Sequence, residues 1–128
     1  MTAPTSVDPL LVEATGDDFC YLTTRGRVTG APHEIEIWFA RDGSTLYLMS
    51  GGADRSDWVR NLRADPTVTV RVRDVTFAAT ARILEPGTDE DASARRLVTD
   101  KYQPRYDGNL EGWRERSLPV ALDVADRA

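Results

Sequence analysis

The 128-residue sequence contains one cysteine, one histidine and one lysine. A single thiol, Cys20, closes no internal disulfide, which excludes the cross-linked framework of a small secreted protein. A single imidazole, His33, excludes metal centres built on two or three histidines. No apolar run approaches the roughly 20 residues that span a bilayer. The opening Met1-Thr2-Ala3-Pro4-Thr5-Ser6 lacks the basic patch and apolar stretch of a secretory leader, so the expected location is the cytoplasm. There is no Gly-x-Ser-x-Gly elbow and no phosphate loop ending in Gly-Lys-Ser/Thr.

What is present describes a globular domain. The chain is 41% hydrophobic and 29% charged, too apolar for disorder and long enough for one core. We expect a single domain over 1–128, with residues 1–6 a loose arm. The net charge of −5 disfavours nucleic acid as a partner. The charge is unevenly spread: residues 1–18 carry −4, residues 19–73 carry +2 and residues 74–128 carry −3. Fifteen of the 16 basic residues are arginine, which suits bidentate contact with phosphate or carboxylate.

Periodicity then orders the chain. A short helix is read over 7–15, stopped by Gly16. Phe19 to Thr24 is rich in strand formers, and Arg25 to Pro32 is a glycine-containing hairpin connection. His33 to Ala40 alternates, with Ile35, Ile37 and Phe39 opposite Glu34, Glu36 and Trp38. Asp42-Gly43 turns the chain into Thr45 to Ser50, which is more continuously apolar and therefore more deeply buried. From Arg55 to Ala64 the period becomes helical, with Trp58 and Leu62 on one face and Asp54 or Ser56 as cap. Strands are read at 67–73 and 75–84, the latter bent at Ala78-Ala79. A helix follows from Thr88 to Gln103, then an irregular or short-helical stretch at 106–116 and a last strand at 118–124. Short turns between consecutive strands imply antiparallel pairing. The expected fold is mainly β (α+β): a six-stranded antiparallel barrel with two principal helices.

Two segments have the makings of an anion site. Ser50-Gly51-Gly52 precedes a helix, where free N–H groups and the dipole favour negative charge, and Arg55 follows in the first turn. Arg25-Gly26-Arg27-Val28-Thr29-Gly30-Ala31-Pro32-His33 gathers two arginines, hydroxyls and an imidazole on one turn. A solvated turn is the plain alternative for each. Cys20 reads as a buried, inert thiol and Glu34 with Glu36 as a solvated strand face. The chain holds no self-contained catalytic group, so a cofactor is expected to carry any reaction.

Taken together, Thr23-Thr24-Arg25-Gly26-Arg27-Val28-Thr29-Gly30-Ala31-Pro32, then Ser50-Gly51-Gly52, then Trp58-Val59-Arg60-Asn61-Leu62-Arg63-Ala64-Asp65-Pro66 resemble the deazaflavin (F420)-dependent nitroreductase family. That family belongs to the split β-barrel flavin and deazaflavin oxidoreductases, related in fold to pyridoxamine-phosphate oxidase. The resemblance covers roughly Phe19 to Leu84. It implies a reductase that transfers a hydride from reduced coenzyme F420 to a quinone, enone or nitroaromatic acceptor. It further implies a cofactor site at Arg27, Thr29, Gly30, His33, Ser50, Gly51, Gly52 and Arg55, with Trp58 beside the ring or pinning its helix. Val28 and His33 stand where the family often has basic residues. Trp38, Tyr102 and Tyr106 are the aromatic candidates on the acceptor side; ordinary packing is the alternative for the tyrosines, and Asn61 is left to capping or strand bonding. The competing readings are FMN on the same barrel, and a non-catalytic binder of a deazaflavin or other anionic metabolite. Barrels of this size usually pair, so a homodimer is expected, with Trp38 and Tyr47 supplying apolar contact area.

Overall fold

Alternation at Val68, Val70 and Val72 makes one face of a strand apolar, and such a face is stable only when covered. In the computed structural model, which describes residues 7–128, all three are buried in the central core. The loose arm expected at 1–6 lies outside the described residues.

Among the described residues, seven strands form one antiparallel sheet: β1 (Cys20–Arg25), β2 (Pro32–Ile37), β3 (Ala40–Asp42), β4 (Thr45–Ser50), β5 (Thr67–Val72), β6 (Val75–Ile83) and β7 (Leu118–Arg127). Their order is β2-β1-β5-β6-β7-β4-β3. The strand expected over His33 to Ala40 is therefore two strands, and the count is seven in place of six. β2 and β3 are the opposite edges of the sheet, yet only Trp38 and Phe39 separate them in the chain. A two-residue link forces the sheet to curl until its edges meet, giving a half-barrel. The alternation hid this break because Ile35, Ile37 and Phe39 all pack on the same core. Periodicity reports which face a residue lies on and is blind to which strand lies next to it.

The Phe39 backbone sits in this seam, and Tyr102 and Lys101 satisfy it. Phe39 N–H donates to the Tyr102 hydroxyl at 3.0 Å, and the Phe39 carbonyl accepts from Lys101 Nζ at 2.8 Å. The Tyr102 hydroxyl also lies 2.6 Å from the Asp18 carbonyl. The bend in β6 falls where expected, as a register shift between Phe77 and Ala79.

Among the described residues there are four α-helices, the two principal ones expected and two short ones. α1 (Pro9–Glu13) is capped by Asp8, which accepts from Leu10 N–H at 3.0 Å. α2 (Asp57–Ala64) and α3 (Asp89–Tyr102) are the two principal helices, and Thr88 caps α3 by accepting from Asp91 N–H at 3.2 Å. α4 (Glu111–Arg116) lies in the stretch read as irregular or short-helical. It has no side-chain cap of its own; Arg95 of α3 binds its last carbonyls, at Arg114 and Glu115, while pairing with Asp91 at 3.1 Å. No helix among the described residues is long and apolar enough to cross a membrane.

The sheet separates two cores. Leu22, Leu46, Leu48, Val70, Phe77 and Leu122 fill the inside of the curl. Tyr47, Met49 and Ala121 face outward and are covered by Ala94, Val98 and Tyr102 of α3. β4 is thus buried on both faces, as its continuous apolar run required. Each such side chain contributes about 1.5–3 kcal/mol on burial.

Candidate cofactor site

The connection between β1 and β2 is a tight turn. Gly26 N–H donates to the Ala31 carbonyl at 2.7 Å, and Gly30 N–H donates to the Gly26 carbonyl at 2.8 Å. Gly30 takes φ +78°, a conformation glycine adopts without strain. Thr29 Oγ1 accepts from Ala31 N–H at 3.2 Å. A Cβ on Gly26 would stand 2.7 Å from His33 Nε2, so glycine is what lets the imidazole lie against the turn. Val28 is 87% exposed at the tip.

The start of α2 comes up against this turn, and a cleft of about 660 Å³ opens between them. That is the size of a small-molecule site. Arg27, Thr29, His33 and Trp58 line it, together with Asp57 and Asn61. Arg27 Nη1 donates to Asn61 Oδ1 at 2.8 Å, and Arg27 N–H donates to the same oxygen at 3.2 Å. Arg27 Nη2 lies 3.3 Å from Asp57 Oδ1. Asn61 is only 4% exposed, and its Nδ2 donates to Thr24 Oγ1 at 3.2 Å on the buried face of β1. A line of side chains thus runs from the core to the guanidinium. The strand bond read as one alternative for Asn61 is the one it makes to Thr24, but the sequence reading assigned neither of these residues nor Asp57 to the site. The available signal was the i, i+4 spacing of Asp57 and Asn61, which puts both on one face of α2.

Ser50, Gly51, Gly52 and Arg55 do not line this cleft. Ser50 is buried, with its hydroxyl 2.8 Å from Ser56 Oγ and 3.0 Å from the Ala53 carbonyl. Ser56 occupies the cap position of α2 but makes no side-chain cap bond there. Gly51 backs onto Trp113, whose Nε1 would be 3.3 Å from a Cβ at that position. Gly52 leaves room for Ser56 Oγ, and Arg55 stands exposed at the end of a 3₁₀ turn over Ala53–Arg55.

That second segment instead borders an open, mainly aromatic hollow of about 320 Å³, lined by Phe19, Glu36, Ile37, Trp38, Met49 and Trp113. Trp38 stacks on Tyr102 at 4.3 Å and meets Trp113 and Tyr106 edge-on at 5.6 and 6.0 Å. Tyr106 is half exposed. Tyr102 is 2% exposed and its hydroxyl is engaged in the seam, so it has no free group for an acceptor. Tyr47 is buried too, bonded to Glu90 at 2.8 Å, and does not provide the exposed contact area expected of it.

The remaining candidates fall as read. Cys20 is fully buried, and burial pushes its thiol up to about 12, which leaves it inert at neutral pH. Glu36 accepts from the Tyr21 hydroxyl at 2.8 Å and Glu34 pairs with Arg71 at 3.6 Å on the outer face. Among the described residues, no group of three or more His, Cys, Asp or Glu could hold a metal ion. The cleft offers one fixed guanidinium, two threonine hydroxyls, an imidazole and an indole, with the Asp57 and Glu34 carboxylates beside them, each already next to an arginine. It fits a flat aromatic group carrying an anionic tail.

The curled antiparallel sheet thus sets the arginine-held cleft and the aromatic hollow at the two ends of β2. The chain belongs to the F420H(2)-dependent quinone reductase family, whose model matches residues 7–125. Enzyme class and cofactor are those of that family, with F420 standing over the FMN alternative. The chain is 31% identical over 104 residues to an F420H(2)-dependent quinone reductase of Mycobacterium tuberculosis, covering 79% of this chain and 69% of the relative. A solved F420-H2 dependent reductase superposes with a TM-score of 0.67 at 22% identity, covering 85% of this chain and 95% of the other. A chain solved as a domain-swapped dimer superposes with a TM-score of 0.66 at 24% identity, covering 85% and 81%.

Proposed function

We propose that this chain is a single split-barrel domain that uses F420H2 to reduce a quinone, enone or nitroaromatic acceptor, with the anionic tail of the cofactor at Arg27. The observation that carries the reading is the Arg27 guanidinium, fixed by the buried Asn61 at the edge of a cleft of about 660 Å³. When bound, F420H2 supplies a hydride to an electron-poor carbon.

The chain's own residues bind, orient and exclude water. Arg27 offers charge-assisted hydrogen bonds to phosphate or carboxylate, and Asn61 keeps the guanidinium aimed so that little ordering is left for binding. Thr29 and His33 add polar partners along the turn. Trp58 offers an indole surface to a flat ring. β2 runs from this cleft, at His33 and Ile35, to the aromatic hollow, at Ile37. There Trp38, Met49 and Trp113 form an apolar wall for the acceptor, with Gly51 and Ser50 shaping the backbone behind it. Excluding water at that wall protects the transferred hydride from solvent. Solvent or the half-exposed Tyr106 returns the proton. Gly52 and Arg55 serve as the lead into α2.

We further propose a cytoplasmic homodimer. The single buried thiol and the pairing of a similar chain as a domain-swapped dimer support this.

Titration of the purified protein with oxidised F420 and with FMN, followed by tryptophan quenching, tests the reading. F420 is expected to bind at micromolar concentration, and Arg27→Gln to weaken it about tenfold. No F420 binding in that range would sink the proposal.

A further inference from the structure

We infer that Asp57 is a tethered competitor for the anion seat on Arg27, which raises the threshold an incoming anion must pass. This rests on the reading of Arg27 as the seat for the cofactor's tail. The guanidinium has two kinds of partner. On one side is Asn61, neutral, buried and anchored to Thr24. On the other is the Asp57 carboxylate, 3.3 Å from Nη2 with its side chain 83% exposed. The first contact is held by packing and does not give way. The second is a solvated ion pair of the kind that contributes little and exchanges readily.

Position makes this arrangement durable. Asp57 is the first residue of α2, where the helix dipole favours a carboxylate. It stands one turn before Asn61, so both reach the same guanidinium. A tethered carboxylate acts at high effective concentration. It therefore outcompetes a free monoanion and yields to a ligand that brings several charges at once. The other acid lining the cleft, Glu34, is paired with Arg71 at 3.6 Å. His33 on the opposite wall carries no negative charge. Asp57 is thus the acid that contests Arg27, and it sets specificity for a polyanionic tail over phosphate. No atom or electron is transferred in this exchange; one carboxylate swings into water as another anion takes its place.

The test compares the wild type with Asp57→Asn, Asp57→Glu, Arg27→Gln and the Arg27→Gln/Asp57→Asn pair. Each is titrated with oxidised F420 by fluorescence and with inorganic phosphate by calorimetry. Asp57→Asn is expected to tighten F420 about fivefold and phosphate by at least as much, while Asp57→Glu keeps wild-type affinity for both. The gain is expected to vanish in the pair, because no guanidinium is left to contest. The inference is overturned if Asp57→Asn leaves both affinities unchanged or weaker, or if the gain survives without Arg27. If Arg27→Gln leaves F420 binding untouched, the placement of the cofactor fails. The phosphate arm then still decides whether Asp57 guards Arg27.

Discussion

At the Pro32 end of β2, side chains stand in water. Arg27 is held by one buried amide and one exposed carboxylate, Val28 projects free, and the cleft lies open beside Trp58. At the Ile37 end the chain turns through Trp38 and Phe39 into the opposite sheet edge. There the Tyr102 hydroxyl and the Lys101 ammonium meet both polar groups of the Phe39 backbone, beside the stacked Trp38 and Tyr102 rings. The same strand thus serves two purposes. Where the cleft opens to water, polar contacts are few and replaceable. Where the half-barrel must close, they are buried and redundant, because an unmatched backbone group there costs about 1–3 kcal/mol.

The comparison breaks most visibly at the seam. Tyr102→Ala empties a buried ring and strands Phe39 N–H, and is expected to lower stability by about 3–5 kcal/mol in urea unfolding. Tyr102→Phe keeps the ring and is expected to lose about 1–3 kcal/mol. If Tyr102→Phe matches the wild type, the hydroxyl is not what closes the seam.

Asn61→Ala probes the point where the two regimes meet, since Asn61 is buried yet serves the open cleft. It is expected to cost about 1–3 kcal/mol in stability, because it leaves Thr24 and Arg27 short of a partner. It also frees the guanidinium, so F420 affinity should fall about tenfold even at a temperature where the variant is fully folded. A stability loss with unchanged affinity would make Asn61 a core residue alone.

The smallest effect is one of pH. Burial, with Arg105 nearby, lowers the Lys101 ammonium to about 8 from a usual value of 10.5. In the window between these values the unfolded chain holds the proton that the folded chain has released. Stability from this group therefore rises as pH rises from about 8 towards about 10. Lys101→Met should remove that rise, measured as the change in urea midpoint across the window. The effect is modest because the side chain is only partly buried and solvent screens its charge. Identical pH slopes in both proteins would show that the seam does not sense this charge.

Much of this was legible in residue order. Val68, Val70 and Val72 announced an inward face, the apolar run at 45–50 announced a strand buried on both sides, and Thr88 announced the cap of α3. The turn at Gly26-Arg27-Val28-Thr29-Gly30 was recognisable as a glycine-containing hairpin connection, and the fold sets it beside a cleft. The division of His33 to Ala40 was not, since inward alternation continues unbroken through the bend at Trp38. Tyr102 was open to two readings, an acceptor-side role or ordinary packing, because spacing cannot tell an aromatic ring facing a cavity from one holding a backbone together, and the fold packs it. The same limit placed Ser50-Gly51-Gly52 with Arg27, although the fold turns that segment towards Trp113.

The sequence by itself determined the antiparallel sheet, its inward faces, the principal helices and the family, because these follow from local periodicity, turn chemistry and short motifs. Only the folded whole fixes that the sheet curls shut across two residues, that Asn61 holds Arg27 from 34 positions away, and that the Asp57 carboxylate lies 3.3 Å from the same guanidinium. Those facts depend on which strands become neighbours, and strand neighbours are set by the closing of the whole sheet rather than by any segment within it.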